Sequence, residues 1–177
     1  GAACPVFHTG QKRGLYAGRN GTWARFAGPG HASERDLVLA PARGVDRLGK
    51  RFIAYLPAES KWVPQLHAAF AWNPSDQSEY ERRYTAIIRE YSLRYGRFNS
   101  GWWYDGCYNW KAFRHAQRHW ELWCDASRAG NPDSAIASND VPYWCRSSPP
   151  PSPLPDAAPR DFGSRPGATT PPGTRCA

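Results

Sequence analysis

Asp105 stands where a short aromatic run meets a turn. Ser100-Gly101-Trp102-Trp103-Tyr104 is too glycine-rich and too short for a helix and reads as a buried strand, which Asp105-Gly106 ends with turn chemistry. In a parallel α/β protein, a carboxylate at the C-terminal end of a core strand lies where active sites are built. Sugar rings stack on indole faces, and a carboxylate beside them can stabilise a developing cation. The same aspartate could also be a plain turn or helix-capping residue, and local sequence leaves both readings open.

Other candidate groups carry less. His115 and His119 are spaced i, i+4, but Ala116, Gln117 and Arg118 stand between them with no glutamate, so they read as surface residues and no metal is expected. The five cysteines, 4, 107, 124, 145 and 176, are odd in number and irregularly spaced, which suggests neither a disulfide framework nor a zinc pattern. The loop Thr9-Gly10-Gln11-Lys12-Arg13-Gly14 has neither the GxGxxG order nor the P-loop Lys-Ser/Thr, which argues against a nucleotide cradle. No cofactor is expected.

The elements that must position Asp105 come in alternation. Pro5 to His8 is a weak strand, and Gly18 to Gly30 reads as a long loop. Ser33-Glu34-Arg35-Asp36 resembles a capping box opening a helix to about Leu48, with Leu37, Val45 and Leu48 on its apolar side and Pro41 awkward inside it. Phe52 to Leu56 is the clearest strand, followed by a loop with Trp62, Trp72 and Asn73-Pro74. Between Ser78 and Arg94, Tyr80, Tyr84, Ile87, Ile88, Tyr91 and then Tyr95 recur at steps of three and four, the mark of a one-sided helix. The aromatic strand follows, then a helix from about Lys111 to Arg128, with Glu121 in its middle, and a strand at Ser134 to Ser138 ending at Asn139. Strand and helix in repetition predict parallel βαβ units with the helices on one outer face.

Composition bounds the rest. The 177 residues are enough for one sizeable domain. The formal charge of +8 comes from scattered arginines, not a basic run, so a solvated surface is expected and no nucleic-acid partner. No 18-residue apolar segment and no signal-like start is present, so no membrane partner is expected and localisation is left unassigned. The absence of methionine points to a processed or partial product. Ten of the 17 prolines lie at or after Pro142, in runs such as Pro149-Pro150-Pro151, so two regions are expected: a folded 1–141 and a disordered, proline-rich tail at 142–177.

Three stretches in order resemble the family-29 α-L-fucosidases and their fucosidase-like relatives. They are Arg35-Asp36-Leu37-Val38 with Leu48 to Tyr55; Tyr84 through Asp105-Gly106, with Tyr95-Gly96 and Trp103-Tyr104-Asp105-Gly106; and the loop from Thr9 to Leu15. Ala129 to Ser134 is similar to the fucosidase-like branch, and the likeness covers roughly residues 3 to 140. The resemblance implies a (β/α)8 TIM barrel hydrolysing α-L-fucosides with retention, Asp105 matching the nucleophile and Tyr55 and Trp103 matching positions that line the sugar pocket. Gln11, Lys12 and Arg13 fall in the loop that carries the family's histidines, and with Asn139 they complete the expected binding set. A fucosylated glycan is the implied partner.

The departures shape the expectation. Neither Lys12 nor Arg13 is a histidine, and a retaining glycosidase needs a second carboxyl group about 5–5.5 Å from the first. After Asp105 the chain offers Glu121, Asp133 and Asp140, with Asp140 the best substitute. Four strands make half a barrel, with two open edges. The expectation is therefore a partial, weakly active or inactive fucosidase-like chain whose proline-rich end reflects a shifted reading frame. The alternative is a non-catalytic carbohydrate-binding module.

Overall fold

The architecture follows from alternation along the strands. A computed structural model describes residues 3–11, 13–58, 64–106 and 119–139. All of these lie in one compact unit, Gly1–Cys145. The elements are β1 (Val6–His8), α1 (Gly21–Ala27), α2 (Leu39–Arg47), β2 (Ile53–Pro57), α3 (Pro64–Phe70), α4 (Ser78–Tyr95), a 3-10 turn (Gly96–Phe98), β3 (Gly101–Asp105), α5 (Trp120–Arg128) and β4 (Ala135–Ser138). The strands form one parallel sheet in the order β1-β2-β3-β4, so each strand lies beside its sequence neighbours. This is the parallel α/β arrangement that the repeated strand-helix pattern predicts.

Period two decides what the sheet buries. Ala54, Leu56, Trp102 and Tyr104 point to one face and are wholly or almost wholly buried. They meet α4, whose Tyr80, Tyr84, Ile87, Ile88, Tyr91 and Tyr95 form the buried stripe that the sequence periodicity predicts. Asp76 accepts from the Ser78 amide at 3.0 Å at the start of α4, and Gly96, at φ 50°, ends it. Glu79 and Glu81 sit in its first turn, where acidic residues suit the helix dipole. Hydrogen bonds from Arg82 and Arg83 hold the Glu79 carboxyl down at about 2.

A polar knot welds α5 to the sheet. The Ser127 carbonyl accepts from Trp102 Nε1 at 2.9 Å and from Ser92 Oγ at 2.7 Å, and its hydroxyl lies 2.6 Å from Tyr104 Oη. Gly130 N donates to Ser92 Oγ at 2.9 Å, and a Cβ on Gly130 would land inside the Ser92 carbonyl. The chain therefore needs glycine there for close approach, although Gly130 has no left-handed φ. At the other end of the strands, Asn99 Oδ1 accepts from Ala54 N at 3.2 Å, and its carbonyl accepts from Asn131 Nδ2 and Ser134 Oγ, tying β2, β3 and the approach to β4 together.

Several sequence expectations need correction. Gly18 to Gly30 is no continuous loop, because it holds α1. Asn20 accepts from Trp23 N at 2.7 Å as the N-cap and donates to the Ile87 carbonyl at 3.0 Å, while Trp23 is fully buried. The helix opened by Ser33-Asp36 begins only at Leu39, where Asp36 Oδ1 accepts from Leu39 N at 3.0 Å. Pro41 then falls in the first turn, where its missing N–H leaves no helical bond unmade. Leu37 and Leu48 are exposed, not apolar-side residues. The loop expected before Asn73 contains α3, with Pro64 at its first position, which suits proline; Trp62 lies outside the described residues. Glu121 is in the first turn of α5, not mid-helix, and residues 107–118 lie outside the description. Cys4 and Cys124 are each disulfide-bonded, against the expectation from cysteine number and spacing. No helix of the described residues is long and apolar enough to cross a membrane.

Two outcomes follow for stability. Gly130→Ala should lower it by about 2–3 kcal/mol through overpacking against α4, measured by urea unfolding; a loss within ~0.5 kcal/mol would mean that α4 and α5 do not pack this closely. Glu90 accepts from the amides of Gly21 at 2.6 Å and Thr22 at 2.7 Å at the start of α1. Burial alone would raise its pKa, but the bonds from Thr22 and Gly21 and the nearby Arg94 charge outweigh it and lower it. A carboxyl whose native pKa lies below its unfolded value stabilises the fold above that unfolded value, and the contribution fades as pH falls through the native one. Glu90→Gln should therefore cost about 0.5–1 kcal/mol at neutral pH, discounted for partial exposure, and the difference from wild type should shrink in acid. A difference that stays constant with pH would rule the charge out.

Candidate functional site

The sheet face turned away from the helices carries the chemistry. In register across it run Val6, Ile53, Gly101 and Ala135, then His8, Tyr55, Trp103 and Ala137, then Pro57 and Asp105. Val6, His8 and Ala135 are exposed, and Ile53, Tyr55, Trp103 and Asp105 are half-buried. Because the strands are parallel, Asp105 lies at their C-terminal end, level with Pro57 and next to the residues that follow β4.

Two neighbours hold the Asp105 carboxylate. Tyr55 Oη donates to one oxygen and Asn139 Nδ2 to the other. Asn139 is itself oriented, since its Oδ1 accepts from Gly106 N at 3.2 Å. With a donor on each oxygen the carboxylate is fixed in one rotamer, yet each oxygen retains lone-pair capacity. Gly106 adopts φ 87°, a left-handed turn that suits glycine and lets the chain leave the strand directly after Asp105. Tyr55 is held from its other side by His8, whose ring stacks on it with centroids 4.0 Å apart and planes 22° apart.

A cavity of about 310 Å³ opens beside this group, lined by Gly10, Gln11, Arg13, Leu15, Tyr55 and Pro57. That is at the small end of ligand pockets. The loop after β1 is closed on itself: Gln11 N donates to the Leu15 carbonyl at 3.0 Å and Gly14 N to the Gln11 carbonyl at 2.8 Å. Its base is anchored by Thr9 N donating to the Tyr55 carbonyl at 2.9 Å. Gln11 and Arg13 are thus carried to the same cavity wall as Tyr55.

Of the sequence-derived candidates, Asp105, Tyr55 and Asn139 form one hydrogen-bonded group, and Gln11 and Arg13 join Tyr55 around the cavity. Trp103 shares the face and the register of Tyr55 but does not line that cavity among the described residues. Lys12 and Asp140 lie outside the described residues. The two described substitute acids, Asp133 and Glu121, do not approach Asp105. Asp133 precedes β4 and so sits at the opposite end of the sheet, and Glu121 is exposed in the helix layer. His119 contacts Glu81, with Nδ1 3.0 Å from a carboxylate oxygen, on the helix side. Among the described residues no group of three His, Cys, Asp or Glu could hold a metal ion. His8 was the residue missed. Its signal was present, since alternation from Val6 places it on the same face as Tyr55 once the strands are aligned.

No protein-family model and no curated protein matches the chain. Solved structures do match its fold. The endo-fucoidan hydrolase MfFcnA9 from glycoside hydrolase family 107 superposes with a TM-score of 0.60 at 14% identity, over 78% of this chain and 33% of that one. The endo-fucoidan hydrolase P5AFcnA of the same family gives 0.59 at 16% identity, over 83% and 42%. MfFcnA4, also a family-107 endo-fucoidan hydrolase, gives 0.59 at 16%, over 78% and 27%. The chain thus spans well under half the length of these neighbours. They are glycoside hydrolases, and at this identity the likeness is one of fold.

The Tyr55–Asp105 bond can be tested without any substrate. A double-mutant cycle with Tyr55→Phe and Asp105→Asn should give a coupling of about 1–3 kcal/mol in unfolding free energy, as for a hydrogen bond to a charged group. Additive single effects would mean that the bond does not form in solution.

Proposed function

We propose that this chain carries the nucleophile half of a retaining glycoside hydrolase site acting on fucose-containing carbohydrate. The observation that carries the reading is the Tyr55–Asp105–Asn139 group at the C-terminal end of a parallel sheet, facing away from the helices. Asp105 is the nucleophile that attacks the anomeric carbon and forms the glycosyl-enzyme bond. Tyr55 and Asn139 aim its carboxylate, and Gln11 and Arg13, with Trp103 on the same face, are offered as sugar-binding positions. The family-107 neighbours support a fucose-directed glycosidase in general. Their fold does not single out family 29, and an α-L-fucosidase in a (β/α)8 TIM barrel remains the finer reading, from the ordered motifs.

A second reading, a non-catalytic carbohydrate-binding face, is favoured by one specific observation. Among the described residues, Asp105 is the only carboxylate placed on the open face by strand register. Without an acid the leaving group must depart unaided. General acid help is typically worth about 10²–10⁴-fold, so turnover of an unactivated glycan should be reduced by at least that much.

The experiment is hydrolysis of an activated aryl α-L-fucoside, whose leaving group needs no proton. Slow turnover is expected, abolished in Asp105→Ala and partly restored to that variant by azide, which takes the place of the lost nucleophile. Sugar binding without turnover, unaffected by Asp105→Ala, would establish the second reading instead.

A further inference from the structure

The Asp105 carboxylate is held by two arms, and an arm aims a carboxylate only as well as it is itself held. Asn139 is steadied by Gly106 N, which donates to its Oδ1 at 3.2 Å. Tyr55 is the longer arm. Its χ2 turns in a broad well, and the phenol oxygen lies at the far end of the side chain, where a small turn of the ring displaces it most. Tyr55 is half-buried on the open face, away from the core that locks Trp102 and Tyr104. On the β1 side it meets His8, a ring the proposed chemistry does not otherwise use.

We propose that His8 is a positioning residue for Tyr55: its flat face, stacked on the tyrosine ring, fixes the direction in which the phenol meets the Asp105 carboxylate. Its place in the sheet suits it to this. Strand register makes His8 the direct partner of Tyr55 on the same face. The next residue, Thr9, is fully buried, donates from its amide to the Tyr55 carbonyl at 2.9 Å and accepts from Ala17 N at 2.8 Å. The backbone under the imidazole is thus tied to the backbone under the phenol, and both rings rise from one platform. Their centroids are 4.0 Å apart and their planes 22° from parallel, so the tyrosine ring cannot tilt toward β1 without running into the imidazole.

The consequence for turnover rests on the glycosidase reading of Asp105; the consequence for the Tyr55–Asp105 bond does not. Attack on an anomeric carbon needs the carboxylate aimed, and a loosened nucleophile lowers kcat without weakening the hold on the sugar. Loss of one stacked ring pair corresponds to about a three- to tenfold fall in kcat. A histidine that instead bound the sugar through its ring nitrogens would act chiefly on KM, and no carbon ring could replace it.

The test repeats the Tyr55→Phe and Asp105→Asn cycle, by urea unfolding of the full chain, in two further backgrounds. In His8→Ala the coupling between Tyr55 and Asp105 should fall by about half or more; in His8→Phe, which restores a flat ring without the nitrogens, most of it should return. His8 is exposed, so both backgrounds should unfold as cooperatively as the unsubstituted chain. With the activated aryl α-L-fucoside, kcat should drop about three- to tenfold in His8→Ala at little-changed KM, and largely recover in His8→Phe. A coupling that survives intact in His8→Ala overturns the inference, as does a cycle with no coupling in the unsubstituted chain. So does a His8→Phe chain as impaired as His8→Ala, which would assign the effect to the ring nitrogens. Coupling that behaves as expected in a chain with no turnover supports the positioning of Tyr55 and overturns the glycosidase reading alone.

Discussion

The buried half of β3 is the constraint on which the site depends. Trp102 and Tyr104 are locked to Ser127 by an indole N–H and a phenol, and Ser92 and Gly130 clamp the same point from α4 and the turn after α5. Period two then leaves the intervening residues no freedom, so Trp103 and Asp105 must face the other way. A slip of one residue would drive Asp105 into an aromatic core and expose two large rings. Each buried ring contributes roughly 2–3 kcal/mol in area removed from water, so the aromatics set the register and the aspartate inherits its position.

The helices and strands closest to this constraint were legible because their signals are redundant. The stripe Tyr80, Tyr84, Ile87, Ile88, Tyr91 and Tyr95 is a periodicity that only a helix satisfies, and burial of all six follows. The strands Phe52 to Leu56 and Gly101 to Tyr104 are bounded by proline or by Asp-Gly. The helices α1 and α3 were hidden for the opposite reason. Each has seven residues, too few to show a period, and glycines or tryptophan-rich surroundings mask their caps. Asn20 and Pro64 were signals of helix starts, but only contacts to α4 and to the core reveal that Trp23 and Phe70 need a helix to stack, with centroids 4.3 Å apart.

Within the site, sequence reached residues on named motifs and missed those defined only by register. Asp105 and Tyr55 stood out at strand ends, and Asn139 as the residue after a strand. Their mutual hydrogen bonds required knowing that β2, β3 and β4 are adjacent and in step. His8 had no motif to mark it, and its stacking on Tyr55 is a consequence of pairing between β1 and β2. The disulfide bonding of Cys4 and of Cys124 is likewise a fact of distance in space, which cysteine count and spacing do not contain.

Stability and chemistry occupy opposite faces of the same strands. Almost all the large buried rings, Trp23, Trp102, Trp123 and the tyrosines of α4 among them, belong to the helix side. Burial pushes the Tyr91 and Tyr95 hydroxyls far up, as befits core residues that take no part in proton transfer. Among the described residues, strand register places one histidine, one tyrosine, one tryptophan and one aspartate on the site face among small or aliphatic residues. Truncating these removes less packing than truncating a core ring, because His8 is exposed and Tyr55, Trp103 and Asp105 are only half-buried. A loss of function from changes at Asp105 or Tyr55 that leaves the chain folded at the assay temperature can therefore be read as chemistry, whereas the same loss from Trp102 or Ser127 would mean only that the strand had lost its register.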